Sequence, residues 1–217
     1  MNRLMTGYGT RLGAAAMLAG ALVASLACGK AVREGRASSY LIVENLMAAS
    51  GAQPAKFSNT LESDVVTNVK QTVGGQQVLV PTIYEDVGQV TLKIAMKDPG
   101  TSDNPTSPSP TNQITINRYR VVYTRADGQN TPGVHVPYAF DGAATGTVSA
   151  NGGSLTFILV RAQAKLETPL SELVGGGGSF VISAIADVTF YGRDQAGNDV
   201  AVVARISVNF ADWGDPQ

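Results

Sequence analysis

Residues 199–210 read DVAVVARISVNF, and the apolar side chains fall on every second position: Val200, Val202, Ala204, Ile206, Val208 and Phe210. Successive side chains of an extended strand point to opposite faces, so this spacing predicts a strand with one face turned to a core. A helix would instead gather its apolar residues at three- and four-residue intervals.

The same period recurs outward from this stretch. In SFVISAIADVTFY (179–191) the inward set is Phe180, Ile182, Ala184, Ala186, Val188 and Phe190, while Val181 and Ile185 make the other face partly apolar, as in a central or covered strand. GQVTLKIAMK (88–97) places Val90, Leu92, Ile94 and Met96 on one face and Thr91, Lys93 and Lys97 on the other. QITINRYRVVYTR (113–125) carries Ile114 and Ile116 in one phase and Tyr119, Val121 and Tyr123 in the opposite phase, which predicts a β-bulge near Asn117. Further strands are expected at SYLIVENLMA (39–48), GTVSA (146–150) and SLTFILVRA (154–162), the last two joined by an Asn-Gly-Gly hairpin signal. NTLESDVVTN (59–68) and QVLVP (77–81) read as edge strands. The one helical pattern is TPLSELVGGGG (168–178), with Thr168 as cap, Pro169 at the first helical position and Gly175–Gly178 as terminator. Asp98–Asn112, rich in Pro, Ser and Thr, is a long polar loop.

Seven or eight strands with turn signals between them and at most one short helix predict an all-β, antiparallel sandwich. The segment TFYGRDQAGNDVAVVARISV (189–208), an aromatic strand leading into a D-x-A-G-N turn, resembles the last hairpin of bacterial immunoglobulin-like and fibronectin type III-like domains. The resemblance implies an immunoglobulin-like sandwich and no particular function. The chain beyond residue 38 exceeds the roughly 100 residues of a minimal immunoglobulin domain, so its loops must be elaborated.

The N-terminus has a different character. Arg3 and Arg11 are the only charges before Cys28, and Leu12–Ala27 is a short run of Leu, Ala, Gly, Met, Val and one Ser. This is the plan of a secretory signal, and the run is too short and too rich in Ala and Gly for a good spanning helix. The only cysteine of 217 residues, Cys28, closes the stretch ASLAC, which resembles the lipobox of bacterial lipoproteins, although Ser25 stands where Leu is most usual. The resemblance implies cleavage before Cys28 and acyl chains on that residue, hence a membrane anchor in the bacterial cell envelope; Gly29 after that cysteine, with no Asp, resembles lipoproteins sent to the outer membrane, which applies if the host is Gram-negative. The expected organisation is a signal peptide over 1–27, a lipidated cysteine and polar tether over 28–38, and one β-sandwich domain over 39–217.

Composition narrows the chemistry. Without residues 1–27 the chain keeps 14 basic against 17 acidic residues, a net of about −3, which argues against a nucleic-acid partner. With Cys28 used, no disulfide can form within the chain. His135 is the only histidine; a Ser-His-Asp arrangement would need it beside Asp141, and no nucleophile motif accompanies it. One His and one lipidated Cys cannot ligate zinc. Asp194, Asn198 and Asp199 crowd one turn, and Asp98, Asp103 and Asn104 lie in another loop, in a way that calcium would accept, but turns need the same residues. Glu85 and Asp86, adjacent on a strand, point to opposite faces and make a poor acid pair. Tyr119, Tyr123, Phe157, Phe190 and Phe210 lie in strand patterns and read as core, and Trp213 is the only tryptophan.

No enzyme, cofactor or metal is therefore expected. The leading expectation is a non-enzymatic envelope lipoprotein that acts as a binding or structural subunit for another envelope component, with an envelope protein as the expected partner; the alternative is a secreted or anchored ligand-binding module for calcium or glycan. Strand parity places the 98–112 loop and the 192–199 turn at the end where the tether arrives, and the segments 49–87, 126–143 and 163–179 at the other. Loops on a rigid sandwich are where binding resides, so Tyr138 and Phe140 are the expected binding residues.

Overall fold

The computed structural model describes residues 35–215. The signal segment, Cys28 and the first residues of the tether lie outside the described residues. Twelve strands follow in chain order: β1 (Ser39–Ala49), β2 (Thr60–Asp64), β3 (Thr67–Val73), β4 (Gln76–Thr82), β5 (Asp86–Met96), β6 (Gly100–Thr101), β7 (Asn104–Pro105), β8 (Ile114–Thr124), β9 (Phe140–Val148), β10 (Gly153–Val160), β11 (Ile182–Asp194) and β12 (Asp199–Ala211). One five-residue helix, α1 (Ala162–Leu166), and two 3-10 turns, Pro110–Asn112 and Leu170–Leu173, complete the described elements.

The strands form an immunoglobulin-like β-sandwich. One sheet has the order β1-β5-β10 and the facing sheet β2-β12-β11-β8-β9, while β3-β4 is a separate two-stranded ribbon. All neighbours are antiparallel except β2, which runs parallel to β12 from Thr60↔Ser207 to Asp64↔Ala211. One apolar core lies between the sheets, since the inward residues of both alternate with outward polar ones. Val90, Leu92, Val188, Phe190, Val208 and Phe210 are fully or almost fully enclosed there, in the phases their sequences dictate.

Aromatic rings fill the centre. Phe157 stands edge-on to Tyr119 and to Phe190, with centroids 5.1 Å apart in both pairs, and Tyr123 meets Phe210 at 5.7 Å. Their polar tips are used: Tyr123 donates to the Leu159 carbonyl at 2.6 Å, and Tyr119 Oη accepts from the Ile158 N–H at 3.2 Å. Two glycines make room for the rings, because a Cβ at Gly88 would collide with Phe157 and one at Gly142 with Tyr119.

The bulge falls where the phase changes. Asn117 is skipped in the pairing of β8 with β9, between Ile116 and Arg118, and again with β11, where Tyr191↔Arg118 is followed by Gly192↔Ile116. The extra residue lets Ile114 and Ile116 face the same core as Tyr119, Val121 and Tyr123.

Four local expectations differ from the structure. The strand through GTVSA does not sit beside β10 in its sheet; it begins at Phe140, pairs with β8 and crosses to β10 only at the Ser149–Gly152 turn. NTLESDVVTN is two strands, because fully buried Val65 turns the chain away from β12 before β3 begins. The helix expected at 168–178 is only the 3-10 turn Leu170–Leu173; Thr168 does not cap it but donates to the Gly133 carbonyl at 2.6 Å. Phe180 precedes the strand instead of joining its inward set, and is 69% exposed.

Candidate functional site at the distal end

The register fixes the two ends of the sandwich. Ser39 pairs with Met96 at the end of β5, its hydroxyl donates to the Asn112 carbonyl at 3.3 Å, and β8 then starts with Ile114 opposite Asp194. The tether, the 97–113 loop and the 194–198 turn therefore share one end. At the distal end stand the 50–58 loop, the β3-β4 ribbon, the 125–139 loop, the 161–181 segment and the C-terminal residues after Ala211.

These distal segments are long, yet carboxylates hold them in place. Asp86, the first residue of β5, accepts from the Gly51 N–H at 2.9 Å, from the Ser63 hydroxyl at 2.6 Å and from Lys165 Nζ of α1 at 2.9 Å. Asp64, at the end of β2, accepts from the Thr67 hydroxyl at 2.6 Å and the Trp213 N–H at 2.9 Å. Asp215 takes the Asn68 N–H at 2.7 Å and its side-chain amide at 3.0 Å, and Asp212 takes the Gly175 N–H at 2.6 Å. Each carboxylate satisfies a backbone N–H, those of Gly51, Trp213 and Gly175 in loops and that of Asn68 at the start of β3, which fixes backbone that water would otherwise solvate.

Burial sets the electrostatics. It pushes the Asp86 carboxyl above the usual range, with Lys165, Ser63 and Gly51 opposing, and it pushes Asp64 up against the hydrogen bonds from Thr67 and Trp213. Asp86 is 0% exposed and Lys165 1%, so the pair is part of the core.

Of the two expected binding residues, the structure places Tyr138 on the distal surface, 52% exposed, with its ring against Gly133. Phe140 opens β9 and is buried, with the Arg161 guanidinium 4.4 Å from its ring centroid, so it supports the end and offers no surface of its own. Val134, Leu166, Val174 and Phe180 add exposed apolar side chains to the segments around Tyr138, and Val73 and Leu79 do so on the ribbon. Apolar side chains exposed together at one end are a feature of contact surfaces.

A polar cleft of about 280 Å³ lies beside this end, between β1, the 50–58 loop, β2 and Trp213. Its floor includes Leu61, Asp64 and Trp213, and its rim Gln53, Lys56 and Glu62. Ser50 Oγ and Trp213 Nε1, both shielded from solvent, have no hydrogen-bond partner.

The other sequence candidates do not converge. Asp141 pairs with Arg118 at 3.0 Å and Arg120 at 2.6 Å on the outer face of the sheet, and Nδ1 of His135 has no partner. In the tether-end turn, Asp194 accepts from the Ala196 and Asn198 N–H groups and from the Asn198 amide, which closes the hairpin. Glu85 does not share a strand with Asp86 as expected but stands just before β5, exposed where Asp86 is buried. Among the described residues no three His, Cys, Asp or Glu side chains gather in a metal-binding group, and no helix is long and apolar enough to cross a membrane. Compared with protein-family models, with curated proteins and with solved structures, the chain returns no match.

Proposed function

We propose that the protein is a non-enzymatic lipoprotein of the bacterial envelope, anchored through Cys28, whose sandwich holds its distal end toward a protein partner in the same envelope. The observation that carries the reading is the polarity of the domain. The tether arrives at the end that carries the 97–113 loop and the 194–198 turn, and the opposite end bears Tyr138 and Val134 on a loop held by the Thr168 hydroxyl at Gly133, Leu166 on α1 beside the Lys165–Asp86 pair, and Val174 and Phe180 on a segment held by the Gly175 N–H at Asp212. From Gly29 to Ser38 the tether spans roughly 33 Å at most, so an anchor would keep the turn end near the membrane and the distal end away from it. Rigid loops lower the ordering cost of association, and Tyr is a favoured contact residue.

The test is site-specific photocrosslinking in the producing bacterium, with the photoreactive residue at Tyr138 or at Gln195 in the tether-end turn. A discrete adduct from position 138 and none from 195 is expected; adducts from 195 only, or from neither, would refute the reading. Metabolic labelling with palmitate, abolished by Cys28→Ala, tests the anchor separately.

The cleft beside Trp213 favours one second reading, a small sugar-binding module. An indole N–H and a hydroxyl without partners, next to carboxylate, amide and ammonium groups, suit a polyhydroxylated ring. Because Trp213 is the only tryptophan, its fluorescence reports on this cleft during titration with N-acetylglucosamine or glucose, and an unchanged spectrum up to millimolar sugar counts against it.

A further inference from the structure

An amine and a carboxyl are locked together inside this protein. Lys165 Nζ lies 2.9 Å from Asp86 Oδ1, and the two side chains are 1% and 0% exposed. Charges taken this far out of water recover little of their hydration from each other, so a buried ion pair gives poor return in stability. The pair joins the first residue of β5 to α1, 79 positions later.

We infer that Lys165 and Asp86 condense in the folded protein into an intramolecular amide bond. The ammonium first passes a proton to the carboxylate, leaving a neutral amine beside a carboxylic acid, the form of Asp86 that burial favours. The Nζ–Oδ1 contact carries that proton, so Oδ1 becomes the acid hydroxyl. The nitrogen lone pair then attacks Cγ. Negative charge gathers on Oδ2, which already receives the Ser63 hydroxyl at 2.6 Å. Oδ1, held by the Gly51 N–H at 2.9 Å, then leaves as water with a second proton from the nitrogen across the same contact. One C–N bond forms, one C–O bond breaks, and one water is released; no oxidant, reductant or co-substrate enters.

In water the ionised groups would stay apart. Here the fold holds them in contact, and effective molarities of about 10⁵–10⁸ M are reached by well-oriented intramolecular pairs. Enclosure keeps out the water that would reverse the step. The product also replaces two buried charges with a neutral amide, and it cross-links a chain whose one cysteine leaves no disulfide available.

The test is a tryptic map of the full chain, purified and denatured. Acylated Lys165 resists trypsin, so the amide predicts a branched species joining residues 71–93 to residues 162–193, lighter than the sum of the two by one water. Fragmentation should place the link at Asp86 and Lys165. Lys165→Arg, which keeps the charge but restores cleavage, should give only linear peptides. Recovery of linear 71–93, 162–165 and 166–193 in full yield from the unsubstituted protein would overturn the inference, whether or not the variant folds.

Discussion

Deleting Asn117 separates the phase argument from mere strand propensity. The side chain of Asn117 is exposed, and the residue pairs with neither β9 nor β11. Its whole contribution is to reverse the alternation between Ile116 and Tyr119. Without it, one half of β8 must turn outward, and the cheaper half to lose is Ile114 with Ile116, both 0% exposed. Exposing each isoleucine forfeits about 1.5–3 kcal/mol, so the deletion should cost about 3–6 kcal/mol. Against a total of about 5–15 kcal/mol this removes about a fifth or more of the stability. For a domain of this size it corresponds to a fall in Tm of about 6–24 °C. Asn117→Ala, which keeps the residue count, should stay within about 0.5 kcal/mol. Guanidinium unfolding followed by Trp213 fluorescence gives the midpoint, and circular dichroism gives Tm. A deletion variant that unfolds at the same midpoint as Asn117→Ala would refute the reasoning, because both halves of β8 would then pack without the extra residue.

Further outcomes follow from the core and the distal end. Gly88→Ala drives a methyl into the Phe157 ring on the central strand of its sheet and should cost about 1–3 kcal/mol in a urea titration. Phe140→Ala should cost about 3–5 kcal/mol, since the ring is core, whereas Tyr138→Ala should leave Tm unchanged and weaken only the photocrosslinked complex. The Asp64 carboxyl is raised above its unfolded value of 3.8, so the folded state binds its proton more readily. The stability it contributes is complete below 3.8 and is lost as pH climbs through the raised value. Asp64→Asn removes that titration, so the stability of the unsubstituted protein relative to the variant should be greatest at acid pH and shrink toward pH 7; denaturant midpoints measured from pH 3.5 to 7 check the sign.

How far the fold could be read from the sequence depended on the range of the interaction that decides each feature. Alternation is local, and a strand that must bury one face writes that requirement into adjacent residues; hence β5, β8, β11 and β12 are legible, and so is the bulge, because Ile116 and Tyr119 are only three positions apart. Sheet membership is not local. The Asn-Gly-Gly turn announces a hairpin, but nothing in GTVSA says that its strand pairs with β8, since that pairing rests on Ile114↔Val148 and Val121↔Phe140. The parallel contact of β2 with β12 is equally silent, joining residues about 147 positions apart.

The distal end lies furthest beyond local reading. Asp64, Asp86, Asp212 and Asp215 look like solvated acids in the sequence, and their partners stand 3 to 149 positions away, each carboxylate taking one backbone N–H that carries no side-chain signature. Tyr138 and Phe140 illustrate the same limit at two residues' distance. Both are aromatic, both end one loop, and only the start of β9 at Phe140 sends one ring under Arg161 while the other stays in solvent. Lys165 has no apolar stripe to mark it as internal; its enclosure follows from α1 packing against the start of β5, where Asp86 already waits with two other donors. A lysine that reads as surface and is 1% exposed is a conflict between local and global demands. Such conflicts persist where a fold gains something in return, and at Lys165 the return is the link that ties α1, the 50–58 loop and β2 to one carboxyl group.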